Sequence, residues 1–358
     1  MQVTKTFIPP LENYVQLLQE VWQNGWITNN GPLLQRLERH LQQYLQVPQL
    51  LVCNNGTVVL QMALKALGIT GEVITTPFSY VATTNALLWE GCTPVFVDID
   101  PHNFCIDSGL IEAAITPRTQ AILATHVYGF ACQVAAIEAI AQKHGLKVLY
   151  DGAHAFGVEL GGRSLLSYGD VSTCSFHATK LFHMAEGGCI TSPHAAVMEQ
   201  LMLYRQFGHV YDEYKSMGIN AKSSELHAAM GLAVWPYLPQ IIASRKQAVA
   251  AYLVHLPPGL VPPVLVQAAA SGGWNYGYMP LQFSTHSAML AAKEALTSQG
   301  IYPRRYFWPA LHQLPFLPTP PSLPVAEQAA QTVLCLPLYE GMEESVIQSI
   351  CNIIAQAI

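Results

Sequence analysis

The chain has 358 residues, of which 51% are hydrophobic and only 11% charged, with a formal net charge of −6. This length exceeds what one core usually serves, so a large and a smaller unit are expected, and the scattered lysines and arginines offer no basic face for nucleic acid. No apolar run reaches the roughly 18 residues of a membrane span, and the opening MQVTKTFIPPLENY lacks the layout of a leader, so a cytoplasmic protein is expected.

Taken in order, Leu33, Leu34, Leu37, Leu41 and Leu45 recur at helical spacing behind a Gly31-Pro32 start. The run LLVC then reads as a strand that breaks at Asn54-Asn55-Gly56-Thr57 and restarts as a helix. Such a junction aims backbone N–H groups beyond the strand end, the geometry of an anion site. Short apolar strands are expected at residues 72–76, 94–97, 121–124 and 147–150, with helices at 81–90, 108–115 and 134–144 between them. That alternation implies a mostly parallel sheet covered by helices on both faces.

Farther along, a polar and aromatic loop from Leu201 precedes a helix near 223–235, and a long helix is expected at 238–255. The prolines of LPPGLVPPV stop it and open a second unit. We expect a large domain over 1–237 and a small α+β domain over 238–358, with 238–255 as the connection. Within the small domain the pattern predicts a strand at 274–281, a helix at 286–299, the basic and aromatic run 302–308, a Pro-rich stretch to Pro324, and two final helices around 334–338.

Ligands of such sheets bind beyond the carboxyl ends of the strands. Gly56, Thr57, Tyr80, Asp151 and the turn from Ser175 to Lys180 all stand at such ends, so they can converge. A lysine amine in that setting can form a Schiff base. Pyridoxal phosphate needs such a lysine, an acid for its ring nitrogen, a phosphate cradle and usually a flat side chain against the ring, and the chain offers a candidate for each. The eight cysteines include no C-x-x-C pair and read as reduced core thiols, while the 13 histidines form no H-E-x-x-H or similar spacing, so no metal is expected.

The series NNGT, TTPFSYVATTNAL, PVFVDIDP, THVYG, DGAHAFG, SFHATK, EGG, GINAKSSELHAAMGL and YPRRYF runs through nearly the whole chain. In order and spacing it resembles the DegT/StrS family of pyridoxal-phosphate-dependent nucleotide-sugar aminotransferases, of the aspartate-aminotransferase-like fold type I. The resemblance implies that Lys180 holds the cofactor covalently, Asp151 pairs with its pyridinium nitrogen, and His154 bonds its phenolic oxygen. Phosphate binding then falls to Gly56, Thr57 and Ser175, and ring stacking to Tyr80. It further implies a homodimer with shared active sites, in which Asn220 reaches the neighbour's phosphate. The low charge density also fits a surface partly covered in an oligomer.

Lys222 stands where the family commonly has arginine, and it keeps the charge without the planar fork. The form of THVYG and YPRRYF resembles the branch that makes dTDP-4-amino-4,6-dideoxyglucose, with Lys222, Arg304, Arg305 and Tyr306 as substrate-binding candidates. The expected reaction moves an amino group from L-glutamate to C4 of a dTDP-4-keto-6-deoxyhexose through pyridoxal and pyridoxamine phosphate. A 3-keto or UDP-linked sugar, and a non-catalytic regulator using the same pocket, are the alternatives. Family members that act as dehydratases carry histidine at the position of Lys180, so this lysine favours transamination.

Overall fold

The computed structural model describes residues 1–318 and 321–358; the other two positions, part of the expected Pro-rich stretch, lie outside the described residues. Two helices lead, α1 (Leu11–Asn24) and α2 (Pro32–Leu45), the second burying all five leucines of its stripe. Then strands and helices alternate: β1 (Leu50–Cys53), α3 (Gly56–Ala66), β2 (Glu72–Thr75), α4 (Val81–Trp89), β3 (Thr93–Phe96), the single turn α5 (Ser108–Ile111), β4 (Thr119–Thr125), α6 (Val134–His144) and β5 (Lys147–Asp151). A small hairpin, β6 (Glu159–Leu160) and β7 (Arg163–Ser164), precedes β8 (Val171–Ser175), β9 (Gly188–Thr191) and α7 (Ala195–Arg205). A second hairpin, β10 (His209–Val210) and β11 (Glu213–Tyr214), lies in the loop before α8 (Glu225–Val234).

The central sheet has seven strands in the order β1-β9-β8-β5-β4-β2-β3. The pairings β2–β3, β2–β4, β4–β5 and β5–β8 are parallel, and β9 alone runs against its neighbours β8 and β1. Alternate residues of each strand enter separate apolar clusters: Leu51, Val73, Leu123 and Leu149 pack with α3 and α7, while Val52, Ile74, Ile122 and Tyr150 pack with α2, α6 and α8. Burial on both faces explains why these strands read as continuous apolar runs.

The rest comprises α9 (Leu238–His255), α10 (Pro263–Ser271), β12 (Pro280–Gln282), α11 (His286–Ser298), α12 (Pro324–Thr332), β13 (Val333–Cys335) and α13 (Glu344–Ala357). β12 and β13 pair antiparallel, forming the smaller α+β unit. The first residues of the chain join this unit, since Tyr302 N–H donates to Met1 O and Leu338 N–H to Val3 O. Residues 274–281 depart from the expected strand, which shrinks to its last part. Tyr276 has a φ of 55°, outside any strand geometry, and Asn275 Nδ2 donates to His154 O and Phe156 O, both at 2.9 Å. Side chains, not a ladder, satisfy that crossing. Among the described residues no helix is long and apolar enough to cross a membrane. All eight cysteines are buried and unbridged.

Candidate functional site

The strand ends converge on a cavity of about 320 Å³ that gathers Gly56, Thr57, Tyr80, Asp151, His154, Ser175, Lys180, Arg304 and Tyr306. Each has a local reason to be there. β1 ends at Cys53 and Asn55 caps α3, its side chain accepting from Thr57 N–H at 3.0 Å and Val58 N–H at 2.8 Å. A Cβ on Gly56 would stand 2.9 Å from Ser175 Cβ, so only glycine lets the first turn of α3 close against the end of β8. This brings Thr57 and the Ser175 hydroxyl together at the cavity wall, beside a helix N-terminus.

Asp151 is the last residue of β5 and is nearly buried. Its Oδ2 accepts from Thr83 Oγ1 at 2.7 Å and its Oδ1 from Ala153 N–H at 3.0 Å, which fixes the carboxylate plane. His154 follows three residues later. Its Nδ1 accepts from Tyr128 N–H at 3.2 Å, and its ring lies parallel to Phe307 at 5.6 Å and edge-on to Tyr278 at 4.7 Å. Burial first, then the Lys180 and His126 charges, push its imidazole well below the usual range, so it stays neutral.

Lys180 closes the turn after β8, its N–H donating to His177 O at 2.8 Å. Its half-buried amine donates from Nζ to the Tyr278 hydroxyl at 3.1 Å. Tyr80, at the cap position of α4, is 57% exposed and presents its ring at the cavity mouth. The smaller unit adds Tyr278, Arg304, Tyr306 and Phe307. Burial, reinforced by Tyr278, leaves the Tyr306 phenol pushed up to about 12, so it is a hydrogen-bond donor at ordinary pH. The Arg304 guanidinium lies 5.4 Å from the Tyr306 ring.

Three of the expected residues stand elsewhere. Arg305 turns away from the cavity: its guanidinium stacks on Trp308 at 3.8 Å and its Nη2 donates to Ala330 O at 3.3 Å. Asn220 and Lys222 flank a backbone strip against β1, where Asn54 N–H donates to Ala221 O at 3.0 Å. Asn220 is exposed, and Lys222 Nζ sits 4.6 Å from the Phe207 ring, outside the cavity of its own chain. Thr83, Tyr278 and Phe307 escaped sequence reasoning. Thr83 could have been found as the first-turn hydroxyl of the helix that Tyr80 opens; Tyr278 carried no local signal.

The profile of the DegT/DnrJ/EryC1/StrS aminotransferase family matches residues 11–355. The chain is 38% identical over 364 residues to a dTDP-4-amino-4,6-dideoxy-D-glucose transaminase of Escherichia coli, covering 98% of this chain and 97% of the relative. It is 39% identical over 360 residues to the protein of the same name in Shigella dysenteriae, with 99% and 98% covered. Among solved structures, DesI in the presence of its TDP-sugar product superposes with a TM-score of 0.92 at 32% identity, covering 99% of this chain and 92% of that one.

Proposed function

Because the chain belongs to the DegT/DnrJ/EryC1/StrS aminotransferase family and is a pyridoxal-phosphate-dependent aminotransferase, we propose that it moves the amino group of L-glutamate to C4 of a dTDP-linked 4-keto-6-deoxyhexose in deoxyamino sugar biosynthesis. The observation that carries the reading is the meeting of the Lys180 amine, the Asp151 carboxylate and the Gly56–Ser175 junction around one cavity. This donor set fits the cofactor: an amine, a carboxylate fixed by Thr83, and the Ser175 hydroxyl at a helix N-terminus where a Cβ on Gly56 would close the space. The bound cofactor supplies an electron sink for the carbanion at the amino acid's α carbon and carries the amino group between the two half-reactions as its pyridoxamine form.

The residues act around that sink. Lys180 Nζ would be the amine that holds the cofactor and, when free, the base that takes the proton from the amino acid's α carbon. Asp151 holds a proton on the ring nitrogen; neutral His154 bonds the phenolic oxygen; Thr57 and Ser175 bind phosphate, with Gly56 giving close backbone approach. Tyr80 covers the ring. Arg304 and Tyr306 meet the sugar nucleotide from the smaller unit, residues 238–358, which we assign to substrate recognition against a cofactor-binding unit of 1–237. In this reading two chains form a homodimer, with Asn220 and Lys222 serving the partner's site.

The test is direct. Purified protein incubated with L-glutamate and a panel of dTDP- and UDP-linked keto sugars should aminate dTDP-4-keto-6-deoxyglucose at C4, as identified by mass spectrometry and NMR. Amination of only a 3-keto or UDP-linked sugar would overturn the substrate assignment. Borohydride reduction should fix the cofactor on the peptide holding Lys180; a label on another lysine would overturn the site.

A further inference from the structure

Beside Asp151 lies a line of three buried hydroxyls from separate elements, one of which, Ser79, also borders the cavity. Thr83 sits in the first turn of α4, Ser79 in the loop before it, and Thr125 at the end of β4; all are sealed from solvent. Thr83 Oγ1 lies 2.7 Å from Asp151 Oδ2, Ser79 Oγ 2.8 Å from Thr83 Oγ1, and Thr125 Oγ1 3.2 Å from Ser79 Oγ. Each hydroxyl has one proton to give. An ionised carboxylate can only accept, so the Thr83 proton is committed to Asp151. The proton between Ser79 and Thr83 must then come from Ser79, which leaves Ser79 to accept from Thr125. The direction is forced along the whole line, and each bond polarises the next in a low-dielectric setting.

A buried hydroxyl usually needs only a nearby carbonyl. Thr75, on the adjoining strand, behaves that way and donates to Leu123 O at 2.9 Å. Ser79, Thr83 and Thr125 instead pass their protons side chain to side chain toward one oxygen, while Ala153 N–H holds the other. We propose that Thr83, Ser79 and Thr125 are positioning residues, a one-way hydroxyl relay that keeps Asp151 an oriented acceptor and so holds the proton on the cofactor's ring nitrogen. The inference rests on the functional reading above, in which Asp151 faces that nitrogen.

The experiment compares cofactor affinity, the visible band of the lysine-bound cofactor at one fixed pH, and the rate of the glutamate half-reaction in the holoenzyme. Thr83→Val keeps the shape and removes the bond to a charged group, so cofactor affinity should fall roughly 10- to 100-fold with a changed visible band. Thr83→Ser should restore both. Ser79→Ala and Thr125→Val should give progressively smaller losses, in that order. In Asp151→Asn protein, adding Thr83→Val should cost little more, because the two changes remove one interaction. A Thr83→Val enzyme that folds and matches the wild-type band and affinity overturns the relay. Should that variant fail to fold, wild-type behaviour of both Ser79→Ala and Thr125→Val overturns it equally. A wild-type protein that carries no cofactor on Lys180 would instead refute the functional reading.

Discussion

Lys180 Nζ donates to the hydroxyl of Tyr278 at 3.1 Å, joining residues 98 positions apart in the sequence. Tyr278 is itself held by rings on three sides, with His154 at 4.7 Å, Tyr128 at 5.5 Å and Tyr306 at 5.9 Å. The amine therefore has a fixed resting partner when it is not bonded to anything else. Tyr278→Phe keeps the packing and removes the acceptor, and losing a hydrogen bond of about 0.5–1.5 kcal/mol corresponds to roughly a 2- to 10-fold slower glutamate half-reaction. Cofactor content should not change. Stopped-flow single-turnover kinetics would read both, and an unaltered rate would show that the contact plays no part in catalysis.

Two buried imidazoles contribute to the acid limb of stability. His154 Nδ1 accepts from Tyr128 N–H and His126 Nδ1 from Cys132 N–H at 3.1 Å, so both rings are built in as neutral acceptors. Burial pulls His126 from the ordinary 6.5 to about 3 and moves His154 in the same direction. Below pH 6.5 the unfolded chain therefore binds protons that the folded chain refuses, and stability falls as the pH drops. The slope is about 1.4 kcal/mol per pH unit for each imidazole, and it vanishes above the unfolded value. Urea denaturation across this range should show the slope, and His126→Gln should reduce it by one proton's worth; an unchanged slope would exclude His126 as a source.

Assembly can be tested by mixing. Asn220 and Lys222 stand outside their own cavity, at the end of a loop that exposes Phe207, Tyr211, Tyr214, Met217 and Ile219. So many exposed apolar side chains in one loop fit a covered face better than a free one. Lys180→Ala and Asn220→Ala subunits, each inactive alone, should regain about a quarter of wild-type activity after exchange, since half the dimers are mixed and each carries one complete site. No recovery, with exchange confirmed by mass, would place Asn220 in its own chain's site.

Much of the fold was readable because the central strands β1, β2, β4 and β5 are largely buried on both faces and the helices between them end at plain turn residues. The expected helices at 134–144 and 238–255 coincide with Val134–His144 and Leu238–His255. Lys180, Asp151 and Gly56 were legible for a related reason: each stands at a strand end, where chain direction alone brings residues together. Arg305 stands outside the cavity because neighbouring residues on an extended segment point apart, which sequence proximity to Arg304 does not report. The strand expected at 274–281 failed because aromatic and glycine content suits an extended crossing as well as a ladder, and only the long-range bonds of Trp274 and Asn275 decide between them. Thr83 and Tyr278 depend on partners 68 and 98 positions away, a separation no local pattern reports.

The separation of the two arginines yields the sharpest expectation about the sugar nucleotide. Arg304 is exposed at the cavity, 5.4 Å from the Tyr306 ring, with a planar fork suited to a diphosphate and a flat partner suited to a base. Arg305 is spent on Trp308 and Ala330. Arg304→Ala should raise KM for the sugar nucleotide roughly 10- to 100-fold, the loss of a charge-assisted bond, while the glutamate half-reaction keeps its rate. Arg304→Lys should recover only part of this, because a point charge replaces the fork. Arg305→Ala should leave both KM values within about twofold and lower the thermal midpoint instead, since it removes a stacked cation worth on the order of 0.5–2 kcal/mol. Steady-state kinetics with each substrate varied in turn, alongside calorimetry, separates these outcomes. If Arg305→Ala weakens the sugar nucleotide and Arg304→Ala does not, the ligand approaches from the Trp308 side and the cavity mouth at Arg304 is not its route.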